Sequence, residues 1–379
     1  MDVRPTSGGG GYKDAGVVFP RLDHGVAVAI LFLLAAALVP LLPQVGNSLT
    51  IAVAFLLSAG LALALTPPVI RKMRAGGMVG RDVNKVGKPE VANLGGIAAL
   101  FAFSVSMSFV VGLGKLFGNT SELPYLAVIS VFFIAAMVGL IDDISNIPRR
   151  LKIAAVSFAA LPLMLVHLGE SVDLPFGYTI PIDGGLYFPY WLILVPIGVT
   201  GLANAINMSA GYNGLESGEI AIVSGALLAI SLLAGGAQHP ALITAILLGS
   251  AIGLFVFNRY PAKVFVGDIG TLGMGAALAG AVILGHIEVY AIIAIAPAFY
   301  EAFATFYYGV VRKVPDRRKA CHNPIIREDG RLQPPPGAEH YTLAYLLLSG
   351  RPMTERGLVL VLLGLYAFCG TVAVALSVI

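Results

Sequence analysis

The sequence predicts an all-α membrane protein, a polytopic helical bundle of about 10 to 11 transmembrane helices with a small cytoplasmic loop subdomain. Hydrophobic residues make up 57% of the 379 residues, whereas charged residues make up only 12%. A soluble domain carries about 25% charged residues, so the composition excludes an ordinary soluble protein. The two cysteines, Cys321 and Cys369, are too few for a disulfide framework.

Eleven apolar segments approach the roughly 20 residues that a transmembrane helix needs. The segments are too uniformly apolar for barrel strands, and a helix satisfies its own backbone hydrogen bonds in lipid. In chain order, the predicted spans are Val26 to Val45, Leu49 to Ile70, Ala92 to Leu113, Tyr125 to Ile141, Lys152 to Leu168, Phe188 to Asn204, Glu219 to Ala234, Pro240 to Phe257, Ile269 to Gly285, Ile287 to Val311 and Gly357 to Ile379. Almost no polar sequence separates the two spans that meet at Gly285 and His286.

The basic residues lie on one side of the predicted bundle. Of the 24 Lys and Arg residues, 20 fall in loops that follow even-numbered spans, and three more lie in the N-terminal tail. By the positive-inside rule these loops are cytoplasmic and the C-terminus is outside. The predicted organisation is a disordered cytoplasmic tail at 1–25, an additional N-terminal helix at 26–45, and a membrane domain at 49–379 with a long cytoplasmic loop at 312–356.

Five polar clusters interrupt the apolar pattern on the predicted cytoplasmic side. The first, GRDVNKVGKPEVANLGG, carries Lys85 and Glu90 and is equally consistent with a solvated basic loop. The second, GLIDDISNIPRRLK, places Asp142 and Asp143 at the end of one predicted span and Lys152 at the start of the next. Carboxylates oppose the dipole at a helix C-terminus, so a nearby cation or basic partner explains the pair better than a structural role.

The third cluster, GLANAINMSAGYNGLESGE, combines asparagines with glycines. Asn204 and Asn207 are three residues apart and therefore share a helix face. Asparagines in a span can simply join helices by hydrogen bonds. Here a third asparagine, Asn213, and several glycines follow, and this combination favours a polar pocket, because amide oxygens suit Mg²⁺ and glycines allow close approach to a ligand.

The last two clusters lie nearer the C-terminus. The fourth leads into the span predicted from Ile269 to Gly285, and the fifth follows the span predicted from Ile287 to Val311. In NRYPAKVFVGDIGTLGMG, Asp268 starts a Gly-rich span, where a carboxylate also makes a favourable helix start. We expect it to face the same membrane rim as Asn207 and Asp142. In RRKACHNPIIREDGRL, several side chains could donate hydrogen bonds to an anion such as phosphate, although simple exposure would also explain them: Arg318, Lys319, His322 and Arg327.

These groups together suit a metal-assisted phosphoryl transfer, in which Mg²⁺ neutralises a diphosphate and basic side chains bind its oxygens. A secondary transporter for a nucleotide sugar or an organic anion is the alternative. A transporter would carry its ionisable groups near the bilayer midplane, whereas here they lie at span ends on one side. The sequence contains no zinc pattern, Walker loop or nucleophile elbow, and no pattern that indicates nucleic-acid binding.

At these clusters the sequence resembles the polyprenyl-phosphate N-acetylhexosamine-1-phosphate transferase family, and most of all its dolichyl-diphosphate N-acetylglucosamine-forming branch. The most specific match is NAINMSAGYNGLESG, and DVNK with the following PE, DDISNIPRRLK, VFVGD and TLAYLLLSGRPMTERGL also match. These matches extend from about Leu49 to the C-terminus. The family has ten spans, so the span from Val26 to Val45 looks like an addition.

The resemblance implies that an isoprenoid phosphate attacks the β-phosphorus of a UDP-amino sugar and releases UMP. Asn207 and Asp268 would hold Mg²⁺, with Mn²⁺ as an alternative, and Lys152 would contact phosphate with Asp142 and Asp143 close to the reacting groups. The other implied roles are nucleotide binding by Gly211, Asn213, Phe265 and Glu90, support of the metal site by Asn204, and binding of the lipid phosphate by Lys85. Phosphate or sugar contacts are implied for Arg318, His322 and Arg327. Cys321 stands where related enzymes have an arginine, so either Arg318 or Arg327 would have to supply that guanidinium.

The implied partners are a UDP-N-acetylhexosamine, a polyprenyl or dolichyl phosphate and membrane lipid. UDP-N-acetylglucosamine is the expected donor, with another UDP-amino sugar such as UDP-N-acetylgalactosamine as an alternative. A homodimer is left open and no nucleic acid is expected. The expected location is the cell membrane, with several membrane passes and the active site on the cytoplasmic face.

Overall fold

The computed structural model describes residues 47–116, 121–166, 171–233, 238–315, 317–321 and 323–379, without the side chains of Asn47, Gln238 and Arg318. The predicted tail at 1–25 and the predicted span from Val26 to Val45 lie outside these residues. Within the described ranges, eight helices are long and apolar enough to cross a membrane, or nine if a bent pair counts as one span. The predicted all-α membrane bundle is confirmed.

Three long helices and a shorter one form the first half of the bundle. They are α1 (Asn47–Ala75), α2 (Gly96–Leu116), α3 (Leu123–Ser145) and α4 (Arg149–Phe158). Strands β1 (Val79–Arg81) and β2 (Glu90–Ala92) pair antiparallel between α1 and α2. A bridge between Ala92 and Val264 joins this small sheet to the segment that precedes Asp268, so the first polar cluster lies next to the fourth.

The second half begins with a small sheet and continues with long helices. Strands β3 (Ser171–Asp173) and β4 (Thr179–Pro181) pair antiparallel. The helices that follow are α5 (Gly184–Pro189), which continues through a π-helical turn at Tyr190–Leu194 into α6 (Val195–Ser209), and then α7 (Leu215–Leu233), α8 (Gln238–Asn258), α9 (Gly267–Gly285), α10 (Glu288–Ala294) and α11 (Ala296–Phe306), which ends in a π-helical turn at Tyr307–Val311.

The long loop folds into short elements before the last helix. These are α12 (Arg317–Cys321), β5 (Ile325–Ile326), β6 (Leu332–Gln333), α13 (Leu343–Gly350) and finally α14 (Glu355–Ser377). The loop surrounds the fully buried Tyr345, and its apolar residues share one cluster with Tyr212 and Leu215 at the α6–α7 turn. The loop is therefore packed onto the end of the bundle that carries the third polar cluster.

Two predicted spans differ in shape from the structure. The span predicted from Lys152 to Leu168 is wrong as a continuous helix, because α4 ends at Phe158 and a 3₁₀ helix follows at Leu161–Leu165. Pro162 lacks the N–H that would continue the α-helical hydrogen bonding. The span predicted from Ile287 to Val311 is bent by 77° between α10 and α11, where Pro297 lies in the first turn of α11.

The predicted boundary between Gly285 and His286 is confirmed. His286 has a φ of 53° and ends α9 in the left-handed conformation. Its backbone N–H bonds to the carbonyl of Ile283. A left-handed residue of this kind commonly closes a helix, so two residues suffice to separate the two apolar segments.

Helix α9 is the central element of the bundle, and every residue from Ile269 to Leu284 is buried. Its glycines allow neighbouring helices to approach closely. Gly270 lies against Gly96 of α2, and Gly275 lies against Ala203 of α6. Small residues at helix contacts permit such close approach in membrane proteins. The packing brings the ends of α3 and α6 to the beginning of α9, where Asp268 is located.

We predict that Gly275→Ala destabilises the protein by overpacking. A Cβ atom on Gly275 would lie 2.7 Å from the Cα of Ala203, and overpacking of this kind costs about 1–3 kcal/mol. The midpoint of thermal unfolding in detergent should fall. Gly364→Ala is the matched control, because a Cβ atom there has no neighbour within 4 Å. Equal midpoints for the two variants would contradict the tight contact between α9 and α6.

Candidate active site

The ammonium group of Lys152 joins three separate segments of the chain at one point. Lys152 lies in the first turn of α4 and is only 9% exposed. Its Nζ donates to Oδ2 of Asp142 at 2.8 Å and to Oδ1 of Asn207 at 3.2 Å, and it also contacts Oδ2 of Asp268. The structure therefore brings together four residues that the sequence analysis placed in three different clusters.

Backbone and side-chain contacts hold these oxygens in place. Oδ1 of Asp142 accepts the backbone N–H of Ile147 at 2.8 Å, where the chain leaves α3. Nδ2 of Asn207 donates to Oδ1 of Asp268 at 2.9 Å and to Oγ1 of Thr271 at 2.8 Å. Because the amide nitrogen of Asn207 donates to these two residues of α9, its amide oxygen faces Lys152.

Asp143 and Asp142 have different hydrogen-bond partners. Its Oδ2 accepts the backbone N–H of Ile269 at 3.0 Å, so it caps the beginning of α9 from a neighbouring helix. An acceptor at this position satisfies a free N–H and suits the helix dipole. This contact explains why a carboxylate stands at the end of α3, and it places Asp143 behind Asp268 rather than beside Lys152.

The oxygen set fits a magnesium ion. Oxygens of Asp142, Asn207 and Asp268 already face one positive charge, the ammonium of Lys152. Within the described part of the chain no group of three or more His, Cys, Asp or Glu residues could hold a metal. Mg²⁺ does not need such a cage, because it is usually held by one or two carboxylates together with water and substrate phosphates.

These four residues line a cavity of about 470 Å³. Asn204 also lines the cavity, and its Nδ2 donates to the carbonyl of Thr200 at 2.8 Å. Gly211 and Tyr212 form another part of the wall. The volume is within the range of pockets that hold small molecules, so the polar centre opens into space for a substrate.

Of the four residues predicted to bind the nucleotide, Gly211 is the one among the described residues that lines the cavity. Gly211 lines the cavity with a φ of 127°, a conformation that favours glycine. Asn213 is 3% exposed, and its side chain is bonded to Asp82 and to the backbone N–H of Ala262. Glu90 in β2 is exposed and Phe265 packs against Gly80 in β1, and neither is among the described residues that line the cavity.

Lys85 lies away from the Lys152 centre. Its Nζ donates to Oδ1 of Asn213 at 2.7 Å and to Oε2 of Glu355 at 3.1 Å, and it contacts Asp82. The same atom is 4.7 Å from the ring centre of Tyr260. All of these partners belong to the protein. Its role at the lipid phosphate stays a prediction, as do the roles of the nucleotide residues.

The basic residues predicted to bind phosphate or sugar are only partly described. The side chain of Arg318 and the whole of His322 lie outside the described residues. Arg327 has a side chain that is 47% exposed and lies 3.9 Å from Asp329. It is not among the described residues that line the cavity.

Two cavity residues of opposite charge were not predicted from the sequence. Arg317 is 9% exposed and donates from Nη2 to the carbonyl of Tyr341 at 2.8 Å. Glu301 is 7% exposed and accepts the backbone N–H of Leu343 at 2.8 Å. A carboxylate inside an apolar segment is itself a signal of a functional site, so Glu301 could have been found. Beside them, burial raises the pKa of the Cys321 thiol, so this thiol is uncharged at neutral pH.

The central part of the chain matches a known family. Residues 125–286 match the family described as glycosyl transferase family 4. This range includes Asp142, Lys152, Asn207 and Asp268, which form the polar centre of the cavity. The family match therefore covers the residues that the fold brings together.

Several named proteins are similar to most of the chain. A protein of Saccharolobus solfataricus, provisionally named as a UDP-N-acetylglucosamine–dolichyl-phosphate N-acetylglucosaminephosphotransferase, is 32% identical over 315 residues, which are 82% of this chain and 91% of its own length. The Dictyostelium discoideum protein of that name is 26% identical over 82% of this chain and 84% of its own length. A phospho-N-acetylmuramoyl-pentapeptide-transferase of Shouchella clausii is 31% identical over 60% of this chain and 71% of its own length.

We predict that Asp143→Ala destabilises the protein by about 1 kcal/mol, the usual cost of losing a helix cap. Asp143→Asn is the matched control, because its amide oxygen can still accept the N–H of Ile269. The measurement is the midpoint of thermal unfolding in detergent, which should fall further for Asp143→Ala. If both variants kept the midpoint of the unaltered protein, Asp143 would not stabilise the start of α9.

Proposed function

The chain belongs to glycosyl transferase family 4, and from this membership we propose that it transfers N-acetylglucosamine 1-phosphate from UDP-N-acetylglucosamine to a polyprenyl or dolichyl phosphate. The donor and acceptor follow the names of the Saccharolobus and Dictyostelium relatives. The observation that carries the proposal is the convergence of Lys152, Asp142, Asn207 and Asp268 in the lining of one cavity. The reaction would release UMP and depend on Mg²⁺.

In the proposed reaction, an oxygen of the lipid phosphate forms a bond to the β-phosphorus of the UDP-sugar. The bond between that phosphorus and the oxygen that bridges to the α-phosphate breaks, and UMP leaves with this oxygen. The lipid then carries a diphosphate linked to the sugar. A phosphate monoester has a second pKa of about 6, so the acceptor is already largely ionised at neutral pH and needs no general base.

The side chains of the polar centre are assigned to binding and orientation. Asn207 and Asp268 are the proposed magnesium ligands, with Asp142 beside them. Bound Mg²⁺ would neutralise charge on the diphosphate. Lys152 is proposed to bind phosphate oxygens and to stabilise the charge that develops on them, while Asp142 orients its ammonium group.

The walls of the cavity suggest where the two substrates lie. Ile153, Gly201 and Pro297 line the cavity, and Ile197, one turn before Gly201, is 61% exposed on the surface of the bundle. This apolar side suits the isoprenoid chain, which would enter from the bilayer. Gly211 is proposed to contact the nucleotide, and Arg317 is proposed to contact the phosphates or the sugar.

We also propose that the site faces the cytoplasm, because the positive-inside rule places the basic loops on that side. Arg149 and Arg150 lie at the start of α4, within three residues of Lys152, and both are exposed. A cytoplasmic site would have direct access to a nucleotide sugar.

We predict that Asp268→Asn and Asn207→Ala each lower turnover by about 100-fold or more, as expected when a group that stabilises transition-state charge is lost. The assay is release of UMP from UDP-N-acetylglucosamine by purified protein with Mg²⁺ and a polyprenyl phosphate. Chelation of the metal should abolish release. Asp183→Asn is the matched control, because Asp183 is exposed and lies outside the cavity lining.

Two outcomes would contradict the proposed function. Near-normal turnover in both Asp268→Asn and Asn207→Ala would exclude the proposed magnesium site. Uptake of the nucleotide sugar into vesicles without release of UMP would instead support a transporter. A panel of UDP-amino sugars in the same assay would identify the preferred donor.

We predict that Lys152→Met lowers turnover by about 100-fold and makes folding more dependent on divalent cations. Without the ammonium, the carboxylates of Asp142 and Asp268 face each other with no counter-charge, and Mg²⁺ can replace it. Added Mg²⁺ should therefore raise the midpoint of thermal unfolding more in Lys152→Met than in the unaltered protein. An equal response of the two proteins would contradict the shared cation position.

A further inference from the structure

A cluster of buried polar side chains lies behind the cavity wall and does not line it. Its members Asp82, Asn84, Asn213 and Glu355 are 2%, 7%, 3% and 4% exposed. They come from the β1–β2 loop, the α6–α7 turn and the beginning of α14. Buried polar groups are costly unless they are hydrogen-bonded, so the cluster needs a structural explanation.

Glu355 is the acceptor on which this cluster converges. Its Oε1 accepts the backbone N–H of Asn213 at 2.9 Å and Nδ2 of Asn84 at 3.2 Å. Its Oε2 accepts Nζ of Lys85 at 3.1 Å. An ionised carboxylate accepts hydrogen bonds only, and it therefore suits a point at which three donors meet.

The contacts lead from Glu355 directly to the cavity wall. Nδ2 of Asn84 also donates to the carbonyl of Gly211 at 2.6 Å. On the other side, the N–H of Gly211 donates to Oε1 of Glu216 at 3.1 Å. Gly211, which has a positive φ, is thus fixed by hydrogen bonds at both its carbonyl and its N–H. The bond at the carbonyl depends on the orientation of Asn84, which Glu355 sets.

The charges of the cluster indicate which part of a ligand the wall can accept. Asp82 and Glu355 of the cluster, together with Lys85 that donates to both, carry one net negative charge, and Lys85 makes its hydrogen bonds to protein acceptors. Negative charge behind the wall disfavours a phosphate there. The wall therefore suits an uncharged part of the donor, such as a pyrimidine base.

From these contacts we infer that Glu355 is a positioning residue that, through Asn84 and the backbone of Asn213, fixes the cavity wall at Gly211 and Tyr212 and thereby sets affinity for the nucleotide. The inference rests on the proposed function, because it takes this wall to contact the UDP-sugar. Glu355 does not touch the Lys152 centre, so its loss should weaken donor binding and leave the chemical step intact.

The kinetic test compares Glu355→Ala with Glu355→Gln. Loss of a buried acceptor in Glu355→Ala should raise KM for UDP-N-acetylglucosamine about tenfold, while kcat and KM for the lipid phosphate stay within about twofold. Glu355→Gln keeps an oxygen for Asn213 and Asn84, so it should recover most of the donor affinity. It also carries the test if Glu355→Ala does not fold.

Thr354→Ala provides the matched control at the same helix start. The side chain of Thr354 caps α14 by accepting the N–H of Gly357 at 3.2 Å, and it makes no hydrogen bond to the α6–α7 turn among the described residues. This variant should leave KM for the donor unchanged. An equal rise in KM for Thr354→Ala and Glu355→Ala would overturn the inference, because general weakening of α14 would then explain the effect.

Amide hydrogen exchange without substrate separates this inference from the proposed function. Exchange in a peptide spanning 211–214 should become faster in Glu355→Ala than in the unaltered protein, because the N–H of Asn213 loses its acceptor, and it should stay unchanged in Thr354→Ala. If the unaltered protein transferred no sugar phosphate, the proposed function would fail while this measurement still tested the wall. Unchanged exchange in Glu355→Ala would overturn the inference.

Discussion

The contact of the Lys152 ammonium with three facing oxygens is the interaction on which the arrangement of the site depends. It joins the beginning of α4 to the ends of α3 and α6 and to the beginning of α9. Two carboxylates so close to the apolar part of the bundle would repel each other without a cation between them. Removal of one partner from a buried ion pair leaves an uncompensated charge, so these helix ends are held as one unit. The assembly of the bundle is therefore also the assembly of the site.

The adjacent aspartates of α3 show how one helix end can serve two purposes. Consecutive residues of an α-helix are about 100° apart around its axis, so their side chains point to different neighbours. Asp142 faces Lys152, whereas Asp143 faces the backbone at the start of α9. Gly139, one turn earlier, lies against the carbonyl of Asp268, and this close approach is what brings both carboxylates within reach of α9. The unfavourable position of two acids at a helix C-terminus is offset by partners on other helices.

The sequence was sufficient to predict the helical bundle and the meeting of Asp142, Asn207 and Asp268, because each lies at the end of an apolar segment on the same side. It was insufficient for α4, because mean hydropathy does not register the missing N–H of Pro162. Glu355 carries no distinguishing signal in the sequence, because acidic residues are common in the first turn of a helix. Its partners are 142 and 271 positions away in the chain, so only the tertiary fold reveals them. The same holds for Lys85, whose acceptors are internal although the sequence of its loop was equally consistent with a solvated basic loop.

The close packing of α9 restricts how this protein can change during evolution. Gly270, Gly273 and Gly275 each face a neighbouring atom at a distance that leaves no space for a side chain. A larger side chain at any of these three positions would overpack the contact with the neighbouring helix, so the framework of the polar centre tolerates little change there. Adaptation to a new donor or acceptor would have to come from segments with free volume around them, above all the long loop between α11 and α14. The chemistry is thus inherited with the rigid core, while selectivity can diverge at its periphery.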